Sequence, residues 1–234
     1  MSGFLLSRLW QGLLLVVAMS VLVFVGLFAL GNPVDMFVNP QADQAEIART
    51  TAALGLDRPL WQQYASFMHK AAAGDLGDSF VHGAGAAGLI ASRLPATLEL
   101  AVVAMAIAIV VGIPLGLWAG LRSDGVPGRL IMGGSIVGFS LPTFWVGLML
   151  IMVFAVQLQW LPAGGRGATQ TILGVPLSVA TLDGCKHILL PAINLALFKV
   201  SLIVRLTRSG TREALTQDYV RFARAKGLLS LIHI

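Results

Sequence analysis

Four long apolar runs, separated by polar stretches of unequal length, organise this chain of 234 residues. Leu9 to Leu30 contains no charge and lies between Arg8 and Gly31-Asn32-Pro33. A helix needs about 20 apolar residues to cross a bilayer core, and this run supplies them. Leu94 to Leu121, Leu130 to Val156 and Ile188 to Val204 read alike, so spans are expected over about 9–30, 94–121, 130–156 and 188–204. A cleaved signal peptide competes for the first run, with Arg8 as its basic end and Ala29-Leu30-Gly31 as its cleavage site. The apolar stretch is long for an h-region, and an uncleaved first span is the reading adopted. The pattern predicts an all-α, polytopic membrane protein.

The polar stretches carry their own signals. In the external loop 32–93, Asp43 to Leu54 reads as a helix closed by Gly55, and Pro59 opens another that reaches Gly74. Leu60, Tyr64, Phe67, Met68 and Ala71 share one face of that second helix, which should pack on the spans or lie at the outer interface. Asp75 to Phe80 reads as a turn and Gly83 to Gly88 as a flexible connector. In the second external loop, 157–187, the glycine-rich LPAGGRG disfavours helix, and irregular or short extended structure is expected. Neither His69 nor the Cys185/His187 pair has further ligands at metal-binding spacing, so no metal site is expected.

Composition excludes a soluble domain, since 56% of residues are apolar and only 12% charged, too few charges to keep a surface dispersed. The net charge of +5 is concentrated in a few places, which speaks to topology and lipid contact rather than to nucleic acid. Arg8, then Arg122 and Arg129, then Arg205, Arg208, Arg212, Arg221, Arg224 and Lys226 fall in alternate inter-span segments. Cytoplasmic segments concentrate such cations, so the N-terminus is expected inside and loops 32–93 and 157–187 outside. With Cys185 as the sole cysteine, an internal disulfide is excluded.

Inside the spans, Gly112, Gly116 and Gly120 recur on one helix face, and Gly134 and Gly138 repeat the spacing in the third span. Small residues let helices approach closely in lipid, so these five are candidate packing positions. Pro114 should kink its helix. Ser140, Pro142 and Thr143, in the phrase SLPTFWVG, put an irregular backbone mid-membrane, where it either lines a cavity or accommodates packing. Glu99 is expected to be interfacial and paired with Arg93, one turn away, and Lys199 to snorkel to the cytoplasmic surface.

After the fourth span comes RLTRSGTREALTQDYVRFARAKG, a basic segment with apolar residues at roughly helical spacing. One or two short interfacial helices are expected there, capped by Ser209 or Thr211 and ended by Gly227. On charge alone this is a polybasic strip drawn to anionic lipid. The order of residues in EALTQDYVRFARAKGL, however, resembles the cytoplasmic-loop motif of inner-membrane permease subunits of ABC importers, in the dipeptide, oligopeptide and nickel branch. The general importer motif has Glu where Arg221 stands, then two Ala and later a Gly. This chain keeps Ala223 and Gly227 and has Arg and Phe at the first two positions, as in the peptide branch. Gly74-Asp75-Leu76-Gly77, RLPATLELA, GIPLGLWAGLR and LPAGGRG are further phrases of that family.

The resemblance implies a coupling segment over 205–227 that docks on an ATPase, with Arg221, Ala223, Ala225, Lys226 and Gly227 at its core. It implies a second permease subunit, usually in a heterodimer, ATPase subunits inside and a substrate-binding protein outside. No cofactor, metal or bond chemistry is implied, and the chain has nothing like GxxxxGKS or GxxxxGKT to hydrolyse nucleotide itself. The family has six spans, of which four are expected here. Leu229 to Ile234, LSLIHI, departs from it and is also what CTG TCT CTT ATA CAC ATC, a sequencing-adapter transposon end, encodes, so a non-native tail over 229–234 is expected. The function implied is a peptide importer's permease. Its rivals are a nickel-chelate permease of the same branch and a non-transporting anchor or receptor with a lipid-binding strip. A membrane enzyme would need more intramembrane chemistry than Glu99 and Lys199 offer.

Overall fold

In the computed structural model the described residues are 2–30, 43–53, 55–79, 82–123 and 125–227. They form helices α1 (Ser2–Leu30), α2 (Gln44–Ala53), α3 (Leu60–Ala72), α4 (Ala86–Leu121), α5 (Val126–Ser140), α6 (Thr143–Leu150), α7 (Leu182–Thr216) and α8 (Asp218–Ala225). A π-helix (Ile151–Gln157) continues α6, and a hairpin of β1 (Gln170–Ile172) and β2 (Val175–Leu177) precedes α7. The chain divides into two compact units, 1–92 and 93–234. The tail 229–234 lies outside the described residues.

In the first unit, α1 is apolar on all sides, and its one mid-helix hydroxyl finds a partner: Ser20 Oγ and the Tyr64 hydroxyl of α3 lie 2.7 Å apart. The Tyr64 ring meets Phe24 edge-on at 5.3 Å, so the apolar face of α3 packs on α1. Pro59 precedes α3, and Gly55 and Gly74 take left-handed φ of 68° and 86° just past α2 and α3. The turn that follows is held by Asp75 Oδ1, which accepts from the Gly77 amide at 2.9 Å. The connector is shorter than the sequence suggests. Gly85 bridges Asp78, and α4 is already helical at Ala86, with Gly88 and Pro95 accommodated inside the helix.

The second unit is built on α7, which is 35 residues long, or about 52 Å at helical rise. Its partner α4 presents Gly112, Gly116 and Gly120, all buried. A Cβ at these positions would lie 2.8 Å from Ile203, 2.6 Å from Thr207 and 2.6 Å from Thr211 respectively. No side chain fits, and the backbones touch. Contacts that climb together in residue number mean that α4 and α7 run parallel. Ala104, Ala108 and Ala119 of α4 and Ala192, Ala196 and Val204 of α7 complete a core of small residues.

The α5–α6 segment runs the other way along α7. Gly138 approaches Ser201, and Gly147, further along, approaches Asn194. The stretch 130–156, expected as one span, is not one straight helix, because α5 and the helix from Thr143 to Gln157 meet at a bend of 102°. Leu141 donates to Val137, but Pro142 has no N–H, so the hydrogen-bond ladder stops and restarts at the Val146 amide on Pro142. By length and composition the described residues contain three helices able to cross a membrane, or four if the bent pair is one span. Within the chain Gly134 packs against nothing: a Cβ there meets nothing within 4 Å, because α5 turns Ser135 and Gly138 toward the interior instead.

Ser209 and Thr211 cap nothing. They lie inside α7, where the Thr211 hydroxyl donates to the Thr207 carbonyl at 2.7 Å. Between Arg205 and Thr216 the one weak helix former is Gly210, and a single glycine does not stop a helix held by a packed face. Gly116→Ala should therefore force α4 from α7 and cost about 1–3 kcal/mol. Thermal unfolding in detergent should show a lowered midpoint, whereas Gly134→Ala should leave it unchanged.

Candidate coupling site and outer clasp

At the end of α7, Gln217 takes extended backbone (φ −70°, ψ 149°) and separates it from α8 by a single residue. Asp218 stands in the first turn of α8, where a carboxylate favours the helix dipole, and lies 3.9 Å from Arg221. That pair is exposed and contributes little stability. Gly227 follows at φ 75°, a conformation in which other residues are strained, and the chain turns there. Tyr219 and Phe222 are 66% and 61% exposed on α8, with Lys226 Nζ 4.5 Å above the Phe222 ring. Ala223 is half-buried and Arg221, Ala225 and Lys226 exposed. Two bare aromatics among cations on a short helix make a surface suited to a protein partner. Alongside it an open groove of about 380 Å³ is lined by Arg208, Ser209, Arg212, Glu213 and Thr216 of α7.

The other end of α7 is tied down by polar contacts. Thr181 caps the helix by accepting from the Gly184 amide at 2.9 Å and donates to the Ala168 carbonyl at 2.7 Å. Asp183 accepts from the Ala168 amide at 2.7 Å. Gly184 carries no Cβ, and the carbonyls of Ser178 and Ala168 occupy the place one would need. Glu99 lies at the centre of this structure. It is buried, accepts from the Val179 amide at 2.8 Å, and pairs with Arg166 at 3.4 Å. Arg166 also donates to the Pro176 carbonyl at 2.5 Å, on β2. Arg93 is not its partner. The sequence clue that was missed is that a buried carboxylate draws in whatever cation the tertiary fold brings, and Arg166 comes from a loop 67 residues away. The hairpin so held turns through Leu173 and Gly174, both at positive φ, and leaves Leu173 99% exposed.

Between these ends lies the bend. Ser140, Pro142 and Thr143 are exposed within the chain, and the Ser140 hydroxyl donates to the Ile136 carbonyl at 2.9 Å. Beyond it a cavity of about 350 Å³ is lined by residues that include Gly147, Ile151, Gly165, His187 and Asn194. Asn194 Oδ1 is buried there without a hydrogen-bond partner, and His187 Nδ1 lies 2.9 Å from the Asp183 carbonyl. Among the described residues no group of His, Cys, Asp and Glu is placed to hold a metal ion. Lys199 is exposed.

Apolar helices long enough to cross a membrane, a short aromatic helix at one end of α7 and a polar clasp at the other place the chain among polytopic α-helical membrane proteins. The chain belongs to the family of binding-protein-dependent transport system inner membrane components, which it matches over residues 112–230, with the family's N-terminal region over residues 1–101. It is thus an inner-membrane permease component of an ABC importer. It is 39% identical over 232 residues to a putative peptide permease protein of Brucella ovis, covering 97% of this chain and 71% of that protein. It is 35% identical to the dipeptide transport system permease protein of Escherichia coli K12, covering 97% and 72%. To the oligopeptide transport system permease protein of Bacillus subtilis the identity is 33%, covering 97% and 71%.

Glu99→Ala leaves the Val179 amide without its acceptor and Arg166 without its carboxylate, with the Pro176 carbonyl still in reach. A cost of about 3 kcal/mol is expected, the low end for breaking a buried pair, because Arg166 keeps 35% of its side chain in contact with solvent. Amide exchange from Arg166 to Val179 should speed up accordingly. Exchange at the wild-type rate would show that the clasp does not hold the loop.

Proposed function

We propose that this chain is the permease subunit of a peptide importer, working with a second permease subunit, cytoplasmic ATPases and an external substrate-binding protein. The relatives named as peptide permeases carry the choice of substrate class, and nothing in the chain favours a nickel chelate over it. The N-terminus lies inside, loops 32–93 and 157–187 outside, and 205–227 inside. The parallel run of α4 and α7 supports this arrangement, since it puts the starts of both helices on one face and their basic ends on the other.

In this reading α8 is the docking element, with Arg221, Ala223, Ala225, Lys226 and Gly227 placed against the ATPase. Ser140, Pro142 and Thr143 line the pathway. A helix that restarts mid-membrane leaves its first backbone amides without acceptors, and such backbone is tolerated only when it is covered by protein or faces water. Closing of the ATPases on ATP moves α8, and the spans exchange an outward-facing for an inward-facing arrangement. No residue performs bond chemistry, and peptide and nucleotide energy meet only through this movement.

The full-length permease, co-purified with its partners in lipid vesicles, should take up dipeptide only when ATP and the binding protein are present. Ala225→Asp, on the exposed side of α8, should reduce both ATPase recovery and uptake by about tenfold, the effect of losing one central interface contact. Uptake by the wild-type assembly that is independent of ATP, or absent for every peptide tested, would refute the importer reading.

A further inference from the structure

We propose that Phe139, Phe198 and Arg205 form the grip through which movement of the coupling segment reaches the bend between α5 and α6. The proposal rests on the importer reading for what the movement accomplishes, but the grip itself stands on geometry. The Arg205 guanidinium carbon lies 4.5 Å from the centroid of the Phe139 ring. The same ring stacks on Phe198 at 4.7 Å and 26°. One residue earlier, a Cβ on Gly138 would lie 2.9 Å from Ser201 Oγ. Phe198, Ser201 and Arg205 are spaced three and four apart, so a single face of α7 closes on the last turn of α5.

That turn is the one immediately before the bend. Past Ser140 no helical hydrogen bond spans Leu141 and Pro142, and the two helical pieces meet at 102°. Pro142 fixes one torsion of this joint and restricts Leu141 before it, but without a helical hydrogen bond across it the angle between its arms also depends on the side-chain contacts that hold them. Arg205 is suited to hold one arm. Its Nε is buried without a hydrogen-bond partner, and the Phe139 face offers the guanidinium a favourable contact at 4.5 Å.

The other end of the path is equally direct. From Arg205, α7 continues without a break to Thr216 and reaches α8 through Gln217 alone. A displacement of α8 has this one residue to cross before it reaches α7. The glycine contacts at Gly112, Gly116 and Gly120 leave α4 no room to slide on α7, so these two helices move together. The α5 end, held by the aromatic stack, follows, and the α6 arm swings about Pro142. Phe139 and Arg205 are thus positioning residues for transport, and neither needs to touch the cargo.

The test uses the full-length permease assembled with its ATPases and peptide-binding protein in lipid vesicles. Spin labels replace the exposed Leu148 of α6 and Leu202 of α7 in a Cys185→Ser background, and their separation is measured with and without ATP. Phe139→Leu and Arg205→Gln should lower dipeptide uptake about tenfold or more, while hydrolysis stimulated by the loaded binding protein stays within about twofold. In both, the ATP-dependent change of label separation should vanish. Phe139→Tyr and Arg205→Lys, which keep an aromatic face and a cation, should retain most of both. The double variant should be no worse than either single one, since the grip acts as one unit.

Uptake within about twofold of wild type in the Leu and Gln variants would overturn the proposal. So would a parallel loss of uptake and hydrolysis in all four variants, which marks a structural role alone. If the wild-type assembly transports no peptide, the importer reading fails, and the labels still decide the grip. A separation that responds to ATP in Phe139→Leu as in wild type, or that does not respond in wild type, refutes it.

Discussion

The close approach of α4 and α7 is the constraint on which the second unit depends. In lipid, two apolar helices gain nothing by hiding from water, so they associate only where their surfaces fit closely enough for dispersion to act. Three glycines on α4 remove the side chains that would keep the backbones apart, and Ile203, Thr207 and Thr211 fill the space. The register of those contacts makes the helices parallel. The chain between them runs back along α7, with Gly138 near Ser201 and Gly147 near Asn194, and bends by 102° as it does so.

Along α7 the contacts change character from one end to the other. At its start they are polar and closely satisfied: Thr181, Asp183 and Gly184 on the helix, and Glu99 and Arg166 around the hairpin loop. At its middle they are small and apolar, with aromatic stacking near the bend. At its end they thin out, and α8 stands exposed with Tyr219 and Phe222 uncovered. A polar network resists distortion because each broken bond strands a buried group. A bare amphipathic helix does not. The polar end of α7 is thus held by more hydrogen bonds than the end that carries α8.

Between the ends, the bend at Leu141–Pro142 and the π-helix after α6 depart from regular helix. The π-helix widens each turn by a residue, and Phe154 O receives both the Trp160 and Leu161 amides where it ends. The π-helix begins at the wall of the cavity that holds the unpartnered Asn194 oxygen, since Ile151 lines it. Irregular backbone at membrane depth is costly unless protein or something polar covers it.

Several features could be read directly from the residues. Uninterrupted apolar runs dictate helices, because a backbone in lipid must satisfy itself. Glycines four apart marked the packing face of α4, Pro59 and Gly74 bounded α3, and the residue order after Arg205 identified the family. What the sequence left open were questions of partner and of length. Gly134 has the same spacing as its counterparts, yet whether a glycine face is buried depends on which way the neighbouring helix turns. Glu99 announced a need for a cation but not that Arg166, far along the chain, would meet it. Pro142 announced a break but not its angle, and the end of α7 was misread because helix propensity alone does not say how far a packed face carries a helix. The composition and order of residues determined the class of protein and the chemistry of its helical segments, since these are local properties. Pairing, register and bending were decided only by the tertiary structure, because each depends on residues that meet across the fold rather than along the chain.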